Sequence, residues 1–143
     1  MNGDGTSILF NGDRYEGKYL NGNKHGFGTY SYDNGDVFVG EYCNDVREGK
    51  GIYQYSNGAQ YEGQWSNHKK NGKGTFIYKN GDRYVGDFKN DLEHGKGNME
   101  WSSGQKYEGP FLSGKMHGYG KYTDKNGKPR LGEWKEGKTI RWL

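Results

Sequence analysis

The sequence predicts an all-β protein: an elongated, curved, single-layer antiparallel sheet of successive β-hairpins. Three signals that share a period of 23 residues support this. An aromatic-x-Gly-x-aromatic cassette starts at Tyr15, Phe38, Tyr61, Tyr84 and Tyr107. Gly-x-Gly pairs start at 26, 49, 72, 95 and 118, and Asn-Gly or Ser-Gly dipeptides start at 11, 34, 57, 80, 103 and 126. Self-similarity at a fixed period of this size is typical of a stacked repeat array.

One repeat reads as a hairpin. Large rings or glycine alternate with small polar residues over residues 28–32, which is the period of a half-buried strand. Residues 33–35, Asp-Asn-Gly, are expected to supply the positive backbone dihedrals of a tight turn. The chain returns through a second strand at 38–42, and the polar segment 43–49 is predicted to be a connecting loop. Repetition of this unit predicts about a dozen short strands in a meander.

The whole chain, residues 1–143, is predicted to be a single repeat array. Repeats start near 15, 38, 61, 84 and 107, and partial units occupy 1–14 and 130–143. Arg130 replaces the first aromatic of a sixth cassette, and Arg141 and Leu143 stand where the next Gly-x-Gly pair would fall. The array is expected to stop there, with Ile140, Trp142 and Leu143 capping the last strand or awaiting another chain. Pro110 lacks a backbone donor, so we expect a bulge or a missing ladder bond beside it.

Alternation along the strands assigns two faces to the sheet. One face collects the rings and the cassette glycines, because a missing Cβ leaves room for a neighbouring ring to lie flat on the backbone. The other face should be the wetter one. It carries Glu16, Lys18, Glu41, Glu62, Gln64, Asp87, Glu108 and Glu133.

The aromatic face is the candidate binding site. A single layer has no second layer to cover it, and an apolar surface of more than a few hundred Å² usually marks an interaction site. The rings either cover one another as the sheet curls or form a groove for a partner, and the sequence leaves both alternatives open. The predicted partner-binding residues are Tyr30, Tyr32, Phe38, Tyr42, Tyr53, Tyr55, Tyr61, Trp65, Phe76, Tyr78, Tyr84, Phe88, Trp101, Tyr107 and Phe111.

Composition narrows the function classes. Only 29% of the residues are hydrophobic and 27 are glycine, but 16% are aromatic and regularly spaced, which argues against disorder. The single cysteine, Cys43, and the absence of an apolar amino-terminal signal favour a cytoplasmic protein. The net charge of +3 comes from interspersed charges with no basic block, so we expect no nucleic-acid partner.

No catalytic, cofactor or metal site is predicted. Residues 132–139 match the phosphate-loop consensus, but only four residues follow, too few for the helix that such a loop needs. His25, His94 and His117 share one repeat position, where adjacent repeats lie roughly 10 Å apart. Zinc ligands must all reach one ion within about 2.1 Å, so these histidines are expected to line loops.

The residues of one repeat resemble a known family. Segments 61–65 (YEGQW), 72–76 (GKGTF) and 80–84 (NGDRY) are similar to the MORN repeat, and the resemblance extends over nearly the whole chain. It implies an elongated, curved single-layer sheet without catalytic machinery, with partners along a concave groove of aromatic residues. MORN proteins occur in radial spokes of cilia and in parasite cytoskeletons, which implies a cytoskeletal or ciliary location for this chain.

The favoured hypothesis is a non-enzymatic scaffold or adaptor that binds a helix or extended segment of a protein partner. Edge strands at both ends are pairing templates, so an end-to-end homodimer is a further expectation. One alternative is a tether to membrane phosphoinositides through the cations Lys24, Arg47, Lys69, Lys70, Lys96 and Lys115, which are taken to lie on loops. Acidic residues interrupt these cations, which favours protein over lipid as the partner. The other alternative is a targeting module of a larger enzyme.

Overall fold

The computed structural model describes residues 2–143, and this part of the chain contains fourteen strands and no helix. Neighbouring strands are antiparallel and follow one another in chain order, which confirms the predicted all-β fold of successive hairpins. The chain divides into two compact units, an N-terminal unit, Met1–Lys69, and a C-terminal unit, Lys70–Leu143. Each is described by itself.

The N-terminal unit contains six strands, and each strand after the first pairs with the one before it. They are β1 (Gly3–Ile8), β2 (Arg14–Leu20), β3 (Asn23–Ser31), β4 (Val37–Cys43), β5 (Val46–Gln54) and β6 (Gln60–Ser66). In the register of these pairs, Gly17 lies opposite Gly28, Gly28 opposite Gly40, and Gly40 opposite Gly51. The cassette glycines therefore form one row across the strands.

Eight strands follow, and among the described residues the fifth of them, a two-residue strand, pairs only with the strand before it. They are β7 (Lys69–Ile77), β8 (Arg83–Lys89), β9 (Leu92–Glu100), β10 (Lys106–Leu112), β11 (Lys115–Met116), β12 (Gly118–Thr123), β13 (Pro129–Lys135) and β14 (Lys138–Trp142). The glycine row is present here too, because Gly74 lies opposite Gly86 and Gly86 opposite Gly97.

The Asn-Gly dipeptides form turns, with one difference from the expectation. The Gly35 N–H donates to the Tyr32 carbonyl at 3.0 Å, and the Tyr32 N–H donates to the Asp36 carbonyl at 2.8 Å. Within residues 33–35 only Gly35 has a positive φ, 95°. The loop is thus a three-residue one with a single left-handed position, and the expected positive dihedrals at Asp33 and Asn34 are wrong.

The predicted connecting loop at 43–49 is also wrong. β4 ends at Cys43 and β5 begins at Val46, so only Asn44 and Asp45 connect them, with φ values of 47° and 69°. Two successive left-handed residues make a turn whose twist matches that of the flanking strands. The same pair of positive φ values recurs at 21–22, 67–68, 90–91, 113–114 and 136–137. This periodic dipeptide was the missed sequence signal.

A bulge follows the short turns at 21–22, 44–45, 90–91 and 136–137. On β5, Gly51 pairs with Gly40, but Arg47 pairs with Tyr42, so residues 48–50 face a single residue of β4. Gly49 permits this because its φ is 95°, a conformation that side chains rarely adopt. The bulge sets residue 47 directly opposite a ring of the cassette.

Pro110 disrupts the ladder as predicted. In the fifth repeat the long strand is broken into β11 and β12, and the break lies at His117. Pairing of β10 with these strands runs from Lys106 to Glu108 and resumes only at Phe111. The His117 N–H still donates to the Pro110 carbonyl, at 3.1 Å.

β13 and β14 form the last hairpin of the described residues. Trp142 on β14 packs edge-on against Trp134 at 5.6 Å between ring centroids. Trp142 remains 37% exposed, and Ile140 and Leu143 are more exposed still. Within residues 2–143, β1 pairs only with β2 and β14 only with β13, so each presents an unpaired edge.

The first ring of each cassette lies flat on the glycine row, as predicted. A methyl group added to Gly51 would lie 2.5 Å from Phe38 Cε1, and one added to Gly97 would lie 2.5 Å from Tyr84 Cζ. Phe38 and Tyr84, which lie on these glycines, are completely buried, and Tyr61 is completely buried as well. Glycine and ring together therefore form a core in a sheet that is one layer thick.

Candidate partner-binding face

The structure divides the predicted partner-binding residues into two sets. Eight cassette rings are buried by their neighbours within the chain: Phe38, Tyr42, Tyr61, Trp65, Tyr84, Phe88, Tyr107 and Phe111. Phe38 meets Tyr42 and Trp65 edge to face, at 5.5 and 5.2 Å between centroids. For these rings mutual covering, the first of the two alternatives, is the arrangement observed.

The buried tyrosines satisfy their hydroxyl groups locally. Tyr61 donates to the Gln64 carbonyl at 2.8 Å, and Tyr84 donates to the Asp87 carbonyl at 2.7 Å. Tyr107 donates to the Pro110 carbonyl in the same way, and burial raises the pKa of Tyr107 to about 12. A hydroxyl bonded to a carbonyl three residues ahead holds each ring in one orientation.

The other seven predicted residues are half-buried, and we call them the outer ring row. They are Tyr30, Tyr32, Tyr53, Tyr55, Phe76, Tyr78 and Trp101. In the N-terminal unit they form a chain of contacts, with 4.5 Å from Tyr30 to Tyr32, 5.7 Å from Tyr32 to Tyr53, and 4.5 Å from Tyr53 to Tyr55. In the C-terminal unit, Phe76 lies 4.6 Å from Tyr78. This row leaves ring surface open to a partner.

Aspartates fix the outer ring row to the hairpin turns. The Tyr30 hydroxyl donates to Asp13, and the Tyr53 hydroxyl donates to Asp36, both at 2.7 Å. The second oxygen of Asp36 accepts the backbone N–H of Ser56 in the next turn, at 2.7 Å. Each carboxylate thus joins a ring to the neighbouring turn, a role that was not predicted although Asp13 and Asp36 lie one repeat period apart.

The same hydrogen bonds shift the ionisation of these carboxyl groups. The Tyr30 hydroxyl, together with the Asp33 N–H, lowers the pKa of Asp13. Burial opposes ionisation of Asp36, but the hydrogen bonds from Tyr53, Ser56 and Asn34 outweigh it, so the pKa of Asp36 is also lowered. Because the folded pKa lies below the unfolded value, the carboxylates stabilise the fold above the unfolded pKa, and this contribution is lost as the pH falls through the folded pKa.

Asp36→Asn is therefore expected to flatten the acid dependence of stability. The wild-type melting temperature should decrease as the pH falls below about 4, the ordinary value for Asp, because Asp36 becomes protonated. The variant should be less stable at neutral pH and lose less on acidification. Thermal melts between pH 7 and 2.5 measure both, with Glu108→Gln as the control that removes an exposed carboxylate of the opposite face. Parallel curves for Asp36→Asn and the wild type would contradict the assignment.

The six cations expected on loops lie on strands, and three of them, Lys24, Arg47 and Lys70, lie over rings. Lys24 on β3 holds its ammonium 5.7 Å from the centroids of Tyr30 and Tyr42, and it pairs with Asp45 at 3.3 Å. Arg47 on β5 holds its guanidinium 4.8 Å from the centroid of Trp65. The bulges that follow the two-residue turns bring both side chains onto the aromatic face.

Lys70 on β7 follows the same pattern, whereas the other three cations do not. Its ammonium lies 5.4 Å from the Phe76 centroid and 3.8 Å from Asp91. Lys69, Lys96 and Lys115 are exposed strand residues. The sequence-based placement of all six on loops is therefore wrong, because the connections are only two residues long.

The opposite face carries the predicted polar side chains together with single apolar ones. Glu16, Lys18, Glu62, Gln64 and Glu108 are exposed, while Glu41, Asp87 and Glu133 are half-buried. Exposed apolar residues of the strands include Phe27, Val39, Val85 and Tyr119. Val85 alternates with Arg83 and Asp87 along β8, and Tyr119 is followed on the same face by Lys121.

The histidines lie beside turns, as expected. The backbone N–H of Asn44 donates to Nδ1 of His25 at 3.3 Å, and that of Ser113 donates to Nδ1 of His94 at 3.5 Å. The segment 132–139 that matches the phosphate-loop consensus forms the end of β13, a two-residue turn and the start of β14. Its two glycines therefore serve a hairpin.

Residues 2–143 contain neither a metal-binding cluster nor a membrane-spanning helix. No group of three or more His, Cys, Asp or Glu side chains in this range is arranged to hold a metal ion. In the same part of the chain, no helix is long and apolar enough to cross a membrane.

Comparison with protein families identifies a match to the MORN repeat. The family model matches residues 15–37, 38–60, 61–83, 84–106 and 107–128. The solved SAS-4 (dCPAP) TCP domain of Drosophila melanogaster, in complex with a proline-rich motif of Ana2 (dSTIL), is similar at 18% identity and a TM-score of 0.57, covering 92% of this chain and 72% of that chain. The G-box domain of the microcephaly protein CPAP is similar at 14% identity and a TM-score of 0.43, covering 94% of this chain and 78% of that one. A comparison with curated proteins finds no match. At these identities, the likeness to the TCP domain shows the fold alone.

Proposed function

The chain belongs to the MORN repeat family, and from this premise we propose that it is a non-enzymatic scaffold that binds an extended segment or helix of a protein partner. The observation that carries the proposal is the outer ring row. It is a line of half-buried rings in ring-to-ring contact, repeated at the family's period and open on one side.

The outer ring row is suited to binding because its rings are held in place before a partner arrives. Tyr30 and Tyr53 are bonded to aspartates, and the Tyr32 hydroxyl accepts a hydrogen bond from Arg47 at 2.7 Å. Rigid tyrosines offer a large contact area at a small entropic cost, and preorganisation of this kind strengthens binding. The buried cassette rings support the row from beneath.

An extended segment is the favoured shape of partner. A line of rings along a strand-built face offers successive contacts to a chain that runs along it, and aromatic-lined grooves are a recurrent mode of peptide recognition. The TCP domain, which shares the fold, was solved with a proline-rich motif of its partner, and this supports the same mode here. We place the scaffold in a cytoplasmic cytoskeletal or ciliary assembly on the basis of family membership.

Replacing two outer rings is expected to abolish partner capture. In a Tyr32→Ser/Tyr55→Ser variant, recovery of the partner should fall by more than about tenfold, because buried aromatic contacts dominate such interfaces. The matched control is Phe27→Ser/Val39→Ser, which removes two exposed apolar side chains from the opposite face of the same unit. The measurement is quantitative mass spectrometry of proteins that co-purify with the tagged full chain from its own cells, with and without mild detergent. Circular dichroism verifies that both variants are folded.

Two outcomes would overturn the scaffold proposal. One is a partner that the outer-ring variant retains as well as the wild type does. The other is material that co-purifies only with membranes and disappears in detergent, which would favour the lipid-tether alternative.

A further inference from the structure

One position of each repeat lies opposite the last ring of the cassette, and we call it the cage position. Cross-strand pairing defines it: Lys24 lies opposite Tyr19, Arg47 opposite Tyr42, Glu93 opposite Phe88, Met116 opposite Phe111, and Thr139 opposite Trp134. The residue at this position therefore changes from a cation in the first repeats to an acid, a methionine and a threonine in the last ones.

In the N-terminal unit the cage position is filled by the chain's own cation. The Arg47 guanidinium lies 5.6 Å from the centroids of Phe38 and Tyr53 and 4.8 Å from that of Trp65. It also donates to the Tyr32 hydroxyl at 2.7 Å and to the His68 carbonyl at 2.8 Å. A guanidinium that lies among ring faces and donates from both terminal nitrogens to oxygen acceptors is an arrangement that arginine favours.

Lys24 fills the preceding cage in the same manner. Its ammonium lies 5.8 Å from the Tyr15 centroid and 5.7 Å from those of Tyr30 and Tyr42. Two successive cages of this chain thus hold cations, one an ammonium and one a guanidinium.

Three repeats after Arg47, the same cage exists without its cation. Met116 stands at the cage position, Trp134 replaces Trp65, Tyr122 replaces Tyr53, and Trp101 replaces Tyr32. The backbone hydrogen bonds of the two cages also correspond. The Gly137 N–H donates to the Met116 carbonyl at 2.9 Å, and the His68 N–H donates to the Arg47 carbonyl at 3.2 Å.

A cavity of about 360 Å³ occupies this cage. Its lining includes Trp101, Gln105, Met116, Tyr122, Trp134 and Trp142. Among the described residues, 2–143, no lysine or arginine lines this cavity. Trp142 forms an additional wall, 5.9 Å from Tyr122 and 5.6 Å from Trp134. Arg130 stacks on Trp142 at 4.3 Å, but it lines a separate cavity with Asp124 and Lys128.

We propose that this tryptophan cage, formed by Trp101, Tyr122, Trp134 and Trp142, binds an arginine side chain of the partner segment. The inference rests on the proposed scaffold function and names the chemistry of one contact. The partner's guanidinium takes the place that Arg47 occupies in its own cage, and the Gly137 carbonyl takes the place of the His68 carbonyl as acceptor.

Charge along the row of cage positions favours the same occupant. The cage position before Met116 holds Glu93, whose carboxylate accepts a hydrogen bond from the Tyr78 hydroxyl at 2.8 Å. Equivalent positions of adjacent repeats are about 10 Å apart, so this carboxylate attracts a cation that approaches the tryptophan cage. Glu93 also lies on the aromatic face, where the outer ring row would hold the segment.

The test uses short peptides and the indole N–H signals of the ¹⁵N-labelled full chain. The probes are acetyl-Gly-Ser-X-Ser-Gly-amide peptides with arginine, lysine, glutamate or proline at X. The arginine peptide should shift the indole signals of Trp101, Trp134 and Trp142 saturably, with an affinity at least about tenfold above that of the glutamate peptide. The lysine peptide should bind more weakly than the arginine peptide.

Trp65 provides an internal control. Its indole donates to the Gly51 carbonyl at 3.2 Å, and its cage already contains Arg47, so its signal should stay in place. Equal shifts at Trp65 and at the three cage tryptophans would overturn the proposal. So would a proline peptide that binds as tightly as the arginine peptide, since the cage would then be an apolar docking site.

A matched pair of variants tests the cage position itself. Met116→Arg restores the internal cation and should weaken arginine-peptide binding by about tenfold or more, whereas Met116→Leu should stay within about twofold of the wild type. Undiminished binding to a folded Met116→Arg protein would contradict the proposal. The peptide comparison on the wild-type chain decides the matter even if Met116→Arg does not fold.

Failure of this inference is distinguishable from failure of the scaffold function. If no peptide shifts the cage tryptophans while the partner is still lost on Tyr32→Ser/Tyr55→Ser replacement, the arginine cage is refuted and the scaffold stands. If the partner is retained by that variant, the scaffold proposal itself fails.

Discussion

Gly51→Ala is expected to destabilise the N-terminal unit by about 3 kcal/mol, at the upper end of the usual cost of overpacking. The added methyl group would lie 2.5 Å from Phe38 Cε1 and 3.2 Å from the Trp65 indole nitrogen. Phe38 cannot move aside easily, because it is completely buried and held edge-on by Tyr42 and Trp65. Chemical denaturation followed by tryptophan fluorescence and circular dichroism measures the change in the free energy of unfolding.

Gly58→Ala is the matched control for this substitution. Gly58 has a φ of 97° and no atom within 4 Å of the added methyl group, so its cost is limited to dihedral strain of about 1–2 kcal/mol. If Gly51→Ala cost no more than Gly58→Ala, close stacking of ring on glycine would not be the reason for glycine in the strands.

Tyr84→Ala is expected to destabilise the C-terminal unit by about 4 kcal/mol, because a fully buried ring is lost and a cavity remains. Tyr84 is 0% exposed and packs edge-on against Phe88 at 5.1 Å and Phe111 at 5.0 Å. Tyr84→Phe should cost only about 1 kcal/mol, the value of the hydrogen bond to the Asp87 carbonyl. Phe38 already occupies the equivalent position of another repeat without a hydroxyl.

Tyr119→Ala is the control, since its ring is 64% exposed and its removal should change stability by less than about 0.5 kcal/mol. Urea unfolding of the four proteins gives the comparison. Similar losses for Tyr84→Ala and Tyr119→Ala would show that the cassette rings are not the core of the unit.

These two predictions also explain why the buried cassette rings are poor probes of partner binding. Replacing Tyr61, Trp65 or Tyr84 removes core, so lost binding would report lost folding. The outer rings Tyr32 and Tyr55 are half-buried and leave the glycine-stacked layer untouched. They therefore separate the two effects.

Much of the local structure follows from the residues alone. Alternation at 28–32 and 38–42 predicts strands that the structure contains, and the cassette glycines predict a ring stacked on the backbone. Pro110 predicts a break in the ladder, because a residue without an N–H cannot complete it. The two-residue turns were missed because Asn44 and Asp45 stand in a polar stretch that resembles a loop, although the dipeptide recurs at the repeat period.

The depth of each ring could not be predicted from alternation. Period 2 assigns Tyr32 and Tyr42 to the same face, but it does not say which of them neighbouring rings will cover. That depends on where the bulge at Gly49 sets Arg47 and on which side chain fills each cage. The contacts of Asp13 and Asp36 with rings of the neighbouring strands were missed for the same reason.

The repeat period, the all-β class, the glycine-stacked rings and the aromatic face follow from the residues alone, because they depend on local geometry that is repeated in every unit. Which rings are buried and which stay open is a tertiary feature, and so is the cavity beside Met116 at the position that Arg47 fills in its own repeat. Those features depend on contacts between side chains of different strands, whose distances are set by turns and bulges and not by spacing along the chain.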